Sequence, residues 1–167
     1  MWTDVCDVPR YAEAFADVCA DAAKIGTAMA IEILPMTNIR TLEAAAGIVD
    51  QAGHENGGLC IDIWHMLRGG IDIERLSKLP LQYFKSVEID DAKAEIEGTI
   101  WEDTLFHRLY PGEGDFDCPA FIRAVEAAGF RGVYGVEVIS ETYRKLPVRE
   151  QAKRSFDGTM AQFAKIS

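Results

Sequence analysis

LCIDIWH, residues 59–65, decides the fold. The apolar run makes a strand over 59–63, carries one carboxylate, Asp62, near its end, and gives way to a helical stretch from Trp64. Three further runs follow the same plan: AMAIEIL (28–34) with Glu32, FKSVEID (84–90) with Glu88 and VYGVEVIS (133–140) with Glu137. A strand buried on both faces loses stability by holding an unpaired acid. One acid at the same place in each of four runs therefore implies that the acids converge. Carboxylates within about 4 Å of one another repel by several kcal/mol per pair at intermediate dielectric, and burial adds several more per ion. A divalent cation removes both penalties; without one, some of the acids would have to stay protonated.

Between these runs the apolar spacing becomes helical. Residues 10–25 place Tyr11, Phe15, Val18, Cys19 and Ala22 on one face, and 39–52 place Leu42, Ala45, Val49 and Ala52 on another before Gly53. A turn runs from Asp72 to Lys78 and stops before Pro80. Asp117 can cap a helix carrying Phe121, Ile122 and Val125 that ends at Gly129. The last helix starts near Pro147 with Val148, Ala152, Phe156, Met160 and Phe163 on its apolar face. Helix, then strand and helix four times over, predicts parallel strands at 28–34, 59–63, 83–89 and 133–138 joined by helical crossovers. All four acids then share the C-terminal face of the sheet, where barrel active sites are built. A Rossmann-type sheet is the rival, but no GxGxxG follows any strand. Residues 90–116 break the rhythm and read as a long loop, rigid in composition at its end, RLYPGEGDFD.

Composition bounds the rest. At 167 residues, 49% of them apolar, the chain can bury one substantial core and reads as a single domain over 1–167. Seventeen basic against 27 acidic residues give a net charge of -10, which repels phosphate backbones and anionic lipid. Neither nucleic acid nor membrane is expected as a partner. MWTDVCDVPR lacks the basic-then-apolar pattern of a secretory signal, and no run approaches the length of a membrane span. Cys6, Cys19, Cys60 and Cys118 are far apart, outside any zinc-finger spacing, and read as free thiols in a reducing cytoplasm. Cys60, in mid-strand, reads as a small buried hydrophobe.

The segments IEILPMTNIRTL, NGGLCIDIWHMLRGG, VEIDDA, RLYPGEGDFD and GVEVIS, in that order over residues 30 to 140, resemble the xylose isomerase-like barrel superfamily, and within it the sugar phosphate isomerase/epimerase group. The resemblance implies an α/β fold that is a partial (β/α)8 TIM barrel. It would hold four parallel strands, the family's β5 to β8, with flanking helices, where a full barrel has eight strands and about 250 residues. Two open sheet edges and an uncovered inner face then imply self-association. Carried over position by position, the metal ligands are Glu32, Asp62, Glu88 and Glu137. Relatives usually have His or Gln where this chain has Glu88; the extra charge favours Mn²⁺ or Mg²⁺ over zinc. Strand alternation leaves Asp90 as the rival for that position.

The resemblance also implies a reaction: isomerisation or epimerisation of a small sugar, sugar phosphate or hydroxy-carbonyl compound through an enediolate, with Glu32 and Glu137 as base and acid. His65, three residues past Asp62 where a helix begins, would orient substrate or carry a proton. Arg108 and Glu113, which flank the turn Pro111-Gly112, would bind substrate, Arg108 as a clamp; the alternative is a rim salt bridge between the two. Trp64 could stack on a sugar ring or simply pack. DIWH and RLYPGEGD also look like 3-dehydroshikimate dehydratases of the same superfamily, which gives a lyase as the alternative. A non-catalytic truncated barrel is the third reading.

Overall fold

The computed structural model describes residues 5–166; residues 1–4 and 167 of the expected domain lie outside the described residues. Its elements run α1 (Val8–Lys24), β1 (Met29–Glu32), α2 (Leu42–Ala52), β2 (Gly57–Asp62), α3 (Ile63–Arg68), β3 (Phe84–Glu88), α4 (Ile100–Phe106), α5 (Cys118–Ala127), β4 (Tyr134–Gly135) and α6 (Val148–Phe163). Single 3-10 turns occupy Ile73–Lys78, Leu81–Tyr83 and Tyr143–Lys145. The strands lie in the order β1-β2-β3-β4, every neighbouring pair parallel, so the chain is a four-stranded partial TIM barrel.

Side-chain alternation divides the sheet into two faces. Leu59 and Ile61 of β2 enter the core with Leu42, Ala45 and Val49 of α2 and Phe121, Ile122 and Val125 of α5, and so do Phe84 and Val87 of β3, which a register irregularity opposite Leu59/Cys60 brings to the same face despite their opposite parity. Asp62 and Cys60, of opposite parity to Leu59 and Ile61, face the inner side of the barrel. The register sets Glu32 beside Cys60, Asp62 beside Glu88 and Glu88 beside Gly135, two residues before Glu137. All four acids thus reach one end of the sheet.

Local chemistry fixes where elements begin. Thr41 caps α2 by accepting from the Ala44 N–H, and Gly53 closes that helix at φ 65°, a conformation glycine adopts at least cost. Asp117 caps α5 through the Ala120 N–H.

The expected elements need four corrections. The strand expected over 133–138 is only Tyr134–Gly135, because the chain beyond is held by a bridging residue and not by a ladder: Arg108 N donates to the Ile139 carbonyl at 3.3 Å and His107 bridges to Ser140. The expected loop at 90–116 contains α4, opened by a capping box in which Thr99 and Glu102 satisfy each other's backbone N–H. α3 starts at Ile63, one residue early, since Asp62 is its cap. Finally, Val148, Phe156 and Met160 are exposed on α6, while Thr159 and Gln162 are buried; Gln162 donates to the Pro111 carbonyl at 3.3 Å and ties the helix to the RLYPGEGDFD loop.

Candidate metal centre

Asp62 carries two structural duties at the junction of β2 and α3. Its Oδ1 accepts from the backbone N–H of Trp64 at 2.6 Å and of His65 at 3.4 Å. Its Oδ2 accepts from Arg108 Nη1 at 2.8 Å. This is why strand, acid and helix follow one another in LCIDIWH without a loop, and why His65 stands in the first turn beside the acid.

Arg108 is the hub. It is 1% exposed, and the same Nη1 reaches Asp90 Oδ2 at 2.8 Å and Glu137 Oε2 at 3.1 Å. Nε and Nη2 donate to Thr104 Oγ1 at 3.2 and 2.8 Å, and the guanidinium lies over the Trp64 ring at 5.1 Å. His65 Nε2 lies 3.3 Å from Glu32 Oε1 and 3.2 Å from Arg108 Nη2. Nε2 can donate to the carboxylate as N–H or accept from the guanidinium as a bare nitrogen, but not both at once. His65 Nδ1 and Asp90 Oδ1 are buried with no partner.

Glu32, Asp62, Glu88 and Glu137 each offer one oxygen, and these oxygens all lie within 4.8 Å of one another. Oxygens about 2.0–2.6 Å from a common ion have such spacings. The charges fit as well. Asp90 joins the four to make five carboxylates, of which Asp62, Asp90 and Glu137 pair with Arg108. Burial pushes the Glu88 carboxyl up, reinforced by Glu137, Asp62 and Glu32. Burial also raises Glu137, against the opposing pull of Arg108, and raises Asp90 strongly, with Asp62 adding to it. Glu32 moves the other way, because its hydrogen bond with His65 outweighs its burial. A divalent ion would relieve the crowding that raises the others.

The residues expected to bind substrate have other contacts. Trp64 is fully buried, donates from Nε1 to Asp103 Oδ2 at 3.2 Å and lies against the Arg68 and Arg108 guanidinium groups, so no ring face is left for a sugar. Glu113 does not pair with Arg108; it binds Arg154 Nη2 at 2.6 Å and the Tyr143 hydroxyl at 2.5 Å. Arg108 itself is turned to the acids and has almost no surface with which to clamp a substrate. Asp91, next to the rival Asp90, holds the loop by accepting from the N–H groups of Ala92, Gly112 and Phe116 at 2.8, 2.9 and 2.9 Å. Cys60, read as a plain hydrophobe, is buried but faces the acids: its sulfur and one oxygen each of Glu32 and Glu88 lie within 4.8 Å of one another. Its parity with Asp62 was the available signal. Burial and the three neighbouring acids push its thiol up to about 12.

Parallel strands with crossover helices define a barrel protein of the TIM class, with a set of acids that could hold a cation at the C-terminal strand ends. The chain belongs to the xylose isomerase-like TIM barrel family, whose model matches residues 4–160. It is 30% identical over 156 residues to an inosose isomerase of Bacillus velezensis, covering 92% of this chain and 55% of that one. It is 32% identical over 114 residues to a 3-dehydroshikimate dehydratase of Pseudomonas aeruginosa, covering 68% of this chain and 18% of that one. Among solved structures, the IOLI protein with a bound zinc atom superposes with a TM-score of 0.84 at 26% identity, over 96% of this chain and 57% of that one. The chain thus spans about half the length of the inosose isomerase and the IOLI protein.

Proposed function

We propose that this chain carries the metal-binding part of an isomerase or epimerase acting on a small polyhydroxy or hydroxy-carbonyl compound. The convergence of Glu32, Asp62, Glu88 and Glu137 at one end of the sheet is the observation that supports this reading most. An ion held by these four oxygens, Mn²⁺ or Mg²⁺ by donor type, would supply positive charge beside a carbonyl and its neighbouring hydroxyl, and so acidify the proton on the carbon between them. Glu32, kept ionised by His65, takes that proton, leaving an enediolate. Glu137, whose burial favours its protonated form, returns a proton to the neighbouring carbon for isomerisation, the hydroxyl proton passing to the former carbonyl oxygen, or to the opposite face of the same carbon for epimerisation. His65 orients Glu32, and Arg108 fixes Asp62 and Glu137.

The similarity to a 3-dehydroshikimate dehydratase favours a second reading, in which the same proton abstraction is followed by loss of water. Completion of the barrel by a second copy is part of the proposal: among the described residues, β1 and β4 each have one strand neighbour. A cytoplasmic location is proposed on the four free cysteines. Among the described residues no helix is long and apolar enough to cross a membrane.

The test is elemental analysis of the purified chain, on fractions of known mass from light scattering, alongside Glu32→Gln. Proton exchange into inosose in heavy water, and water loss from 3-dehydroshikimate, are then followed by NMR. A stoichiometric ion in a defined oligomer, lost in the variant, with deuterium entering inosose, is the expected result. Absence of a stoichiometric ion at every mass would remove the enzyme reading and leave a non-catalytic barrel fragment.

A further inference from the structure

Cys60 stands one step below Asp62 on the same face of β2, in register with Glu32 on β1. Two ligand sets therefore overlap in this centre. The upper one is Glu32, Asp62, Glu88 and Glu137; the lower one is Glu32, Cys60 and Glu88, again with all donor atoms within 4.8 Å of one another. The sets share Glu32 and Glu88 and differ in softness, the first being all oxygen and the second containing sulfur. They also differ in how free their members are. Both oxygens of Asp62 already accept hydrogen bonds, from the start of α3 and from Arg108, whereas the Cys60 sulfur is engaged only by the side chains of Ser86 and of Glu88, the latter a member of its own set.

We propose that Cys60 gives this centre a second, thiophilic ligand set with Glu32 and Glu88, which takes Cd²⁺ or Zn²⁺ while the four-carboxylate set takes hard ions such as Mn²⁺. The inference rests on the metal-centre reading and adds to it a choice of site by ion softness. As the sulfur–metal bond forms, the Cys60 S–H proton passes to solvent; no electron is transferred. The two sets exclude each other, because one ion cannot keep both Glu32 and Glu88 for two centres.

The probe is Cd²⁺ added to the full chain after chelation, followed by the sulfur-to-cadmium charge-transfer absorption, with Mn²⁺ followed separately by its electron spin resonance. The native chain should show the sulfur band, and Cd²⁺ should displace Mn²⁺. Cys60→Ser should lose the band and bind Cd²⁺ at least about tenfold more weakly, the lower end of what losing even an outer partner costs a metal site. Its Mn²⁺ affinity should stay within about twofold, since Cys60 is outside that set. Cys6, Cys19 and Cys118 remain in the variant as the control for thiol binding elsewhere. Should Cys60→Ser fail to fold, protection of Cys60 from alkylation by Cd²⁺ but not by Mn²⁺ gives the same reading on the native chain. A Cd²⁺ complex without a sulfur band, or a band that survives in Cys60→Ser, overturns the role of Cys60 and leaves the hard-ion site standing. Failure of both ions to bind overturns both.

Discussion

Replacing Arg108 by methionine removes the charge on which the inner face is assembled while keeping an unbranched side chain to cover Trp64. Nη1 lies 2.8 Å from an oxygen of Asp62 and 2.8 Å from one of Asp90, and all three side chains are about 1% exposed. Breaking a buried ion pair from one side costs about 3–5 kcal/mol, because the abandoned carboxylate keeps its desolvation penalty and loses its partner. Two carboxylates are abandoned here. Asp62 retains the N–H groups of Trp64 and His65, so the larger share falls on Asp90, whose second oxygen has no partner even in the native chain. The expected loss in urea unfolding at neutral pH is therefore about 3–5 kcal/mol, a large part of the stability of an ordinary domain. Burial, with Asp62 adding to it, already raises the Asp90 pKa in the folded chain despite Arg108, and removing Arg108 raises it further. An acid whose folded pKa lies above its unfolded value costs no stability below the unfolded pKa. Its cost grows as pH rises through the window between the two values. The deficit of the variant should accordingly shrink as pH falls from neutral toward that of carboxylate titration, and adding Asp90→Asn should recover much of it at neutral pH. A deficit below about 1 kcal/mol, the size of an exposed pair, or one indifferent both to pH and to Asp90→Asn, would refute the reasoning.

Trp64→Ala should cost about 3–5 kcal/mol in the same unfolding assay, as for any large buried aromatic, while the folded fraction keeps its affinity for Mn²⁺; a variant of native stability that loses substrate turnover would restore Trp64 to the binding surface. Gly114→Ala should destabilise by about 1–3 kcal/mol, because a Cβ there would overlap Asp91 Oδ1 and the Ala92 carbonyl oxygen. A melting temperature unchanged in Gly114→Ala would show that the loop is not gripped by Asp91.

The apolar runs and the helical spacing between them revealed most of the layered fold, since a parallel strand buried on both faces shows as an apolar run, and β2 is buried along its whole length. Convergence of Glu32, Asp62, Glu88 and Glu137 followed from topology alone, because parallel strands bring equivalent positions to one end. What escaped were features set by tertiary partners. α4 was hidden because seven residues are too few for a periodic signal, although the sequence Thr99-Ile-Trp-Glu102 spells its capping box. The apolar stripe assigned to α6 failed at Val148, Phe156 and Met160, where helical spacing cannot say whether anything covers the face. Arg108 looked like a substrate clamp because its partners, Asp62 and Asp90, are 46 and 18 residues away in the chain. Cys60 is buried as its mid-strand position implies; what that position alone did not show is that it shares the parity of the acid two places on and so faces the acids.

The charge balance of the inner face narrows the proposed substrate. Three of the five carboxylates, Asp62, Asp90 and Glu137, pair with Arg108, and with Glu137 protonated as proposed, one arginine and one divalent ion leave four ionised acids with a net negative charge. A neutral polyol or ketose meets no penalty there: its hydroxyl and carbonyl oxygens face the cation, and its remaining hydroxyls can donate to spare carboxylate oxygens. A phosphate carries about one and a half to two further negative charges at neutral pH. At about 4 Å from a carboxylate and an effective dielectric of about 20, each such charge costs about 4 kcal/mol. Arg108 cannot offset this, since its guanidinium is fully engaged with Asp62, Asp90, Glu137 and Thr104. A phosphorylated substrate would therefore need basic groups from outside this half of the barrel, whereas a neutral sugar or cyclic polyol ketone needs only the ion and the acids already in place. On electrostatic grounds the substrate proposed for this inner face is therefore an uncharged one.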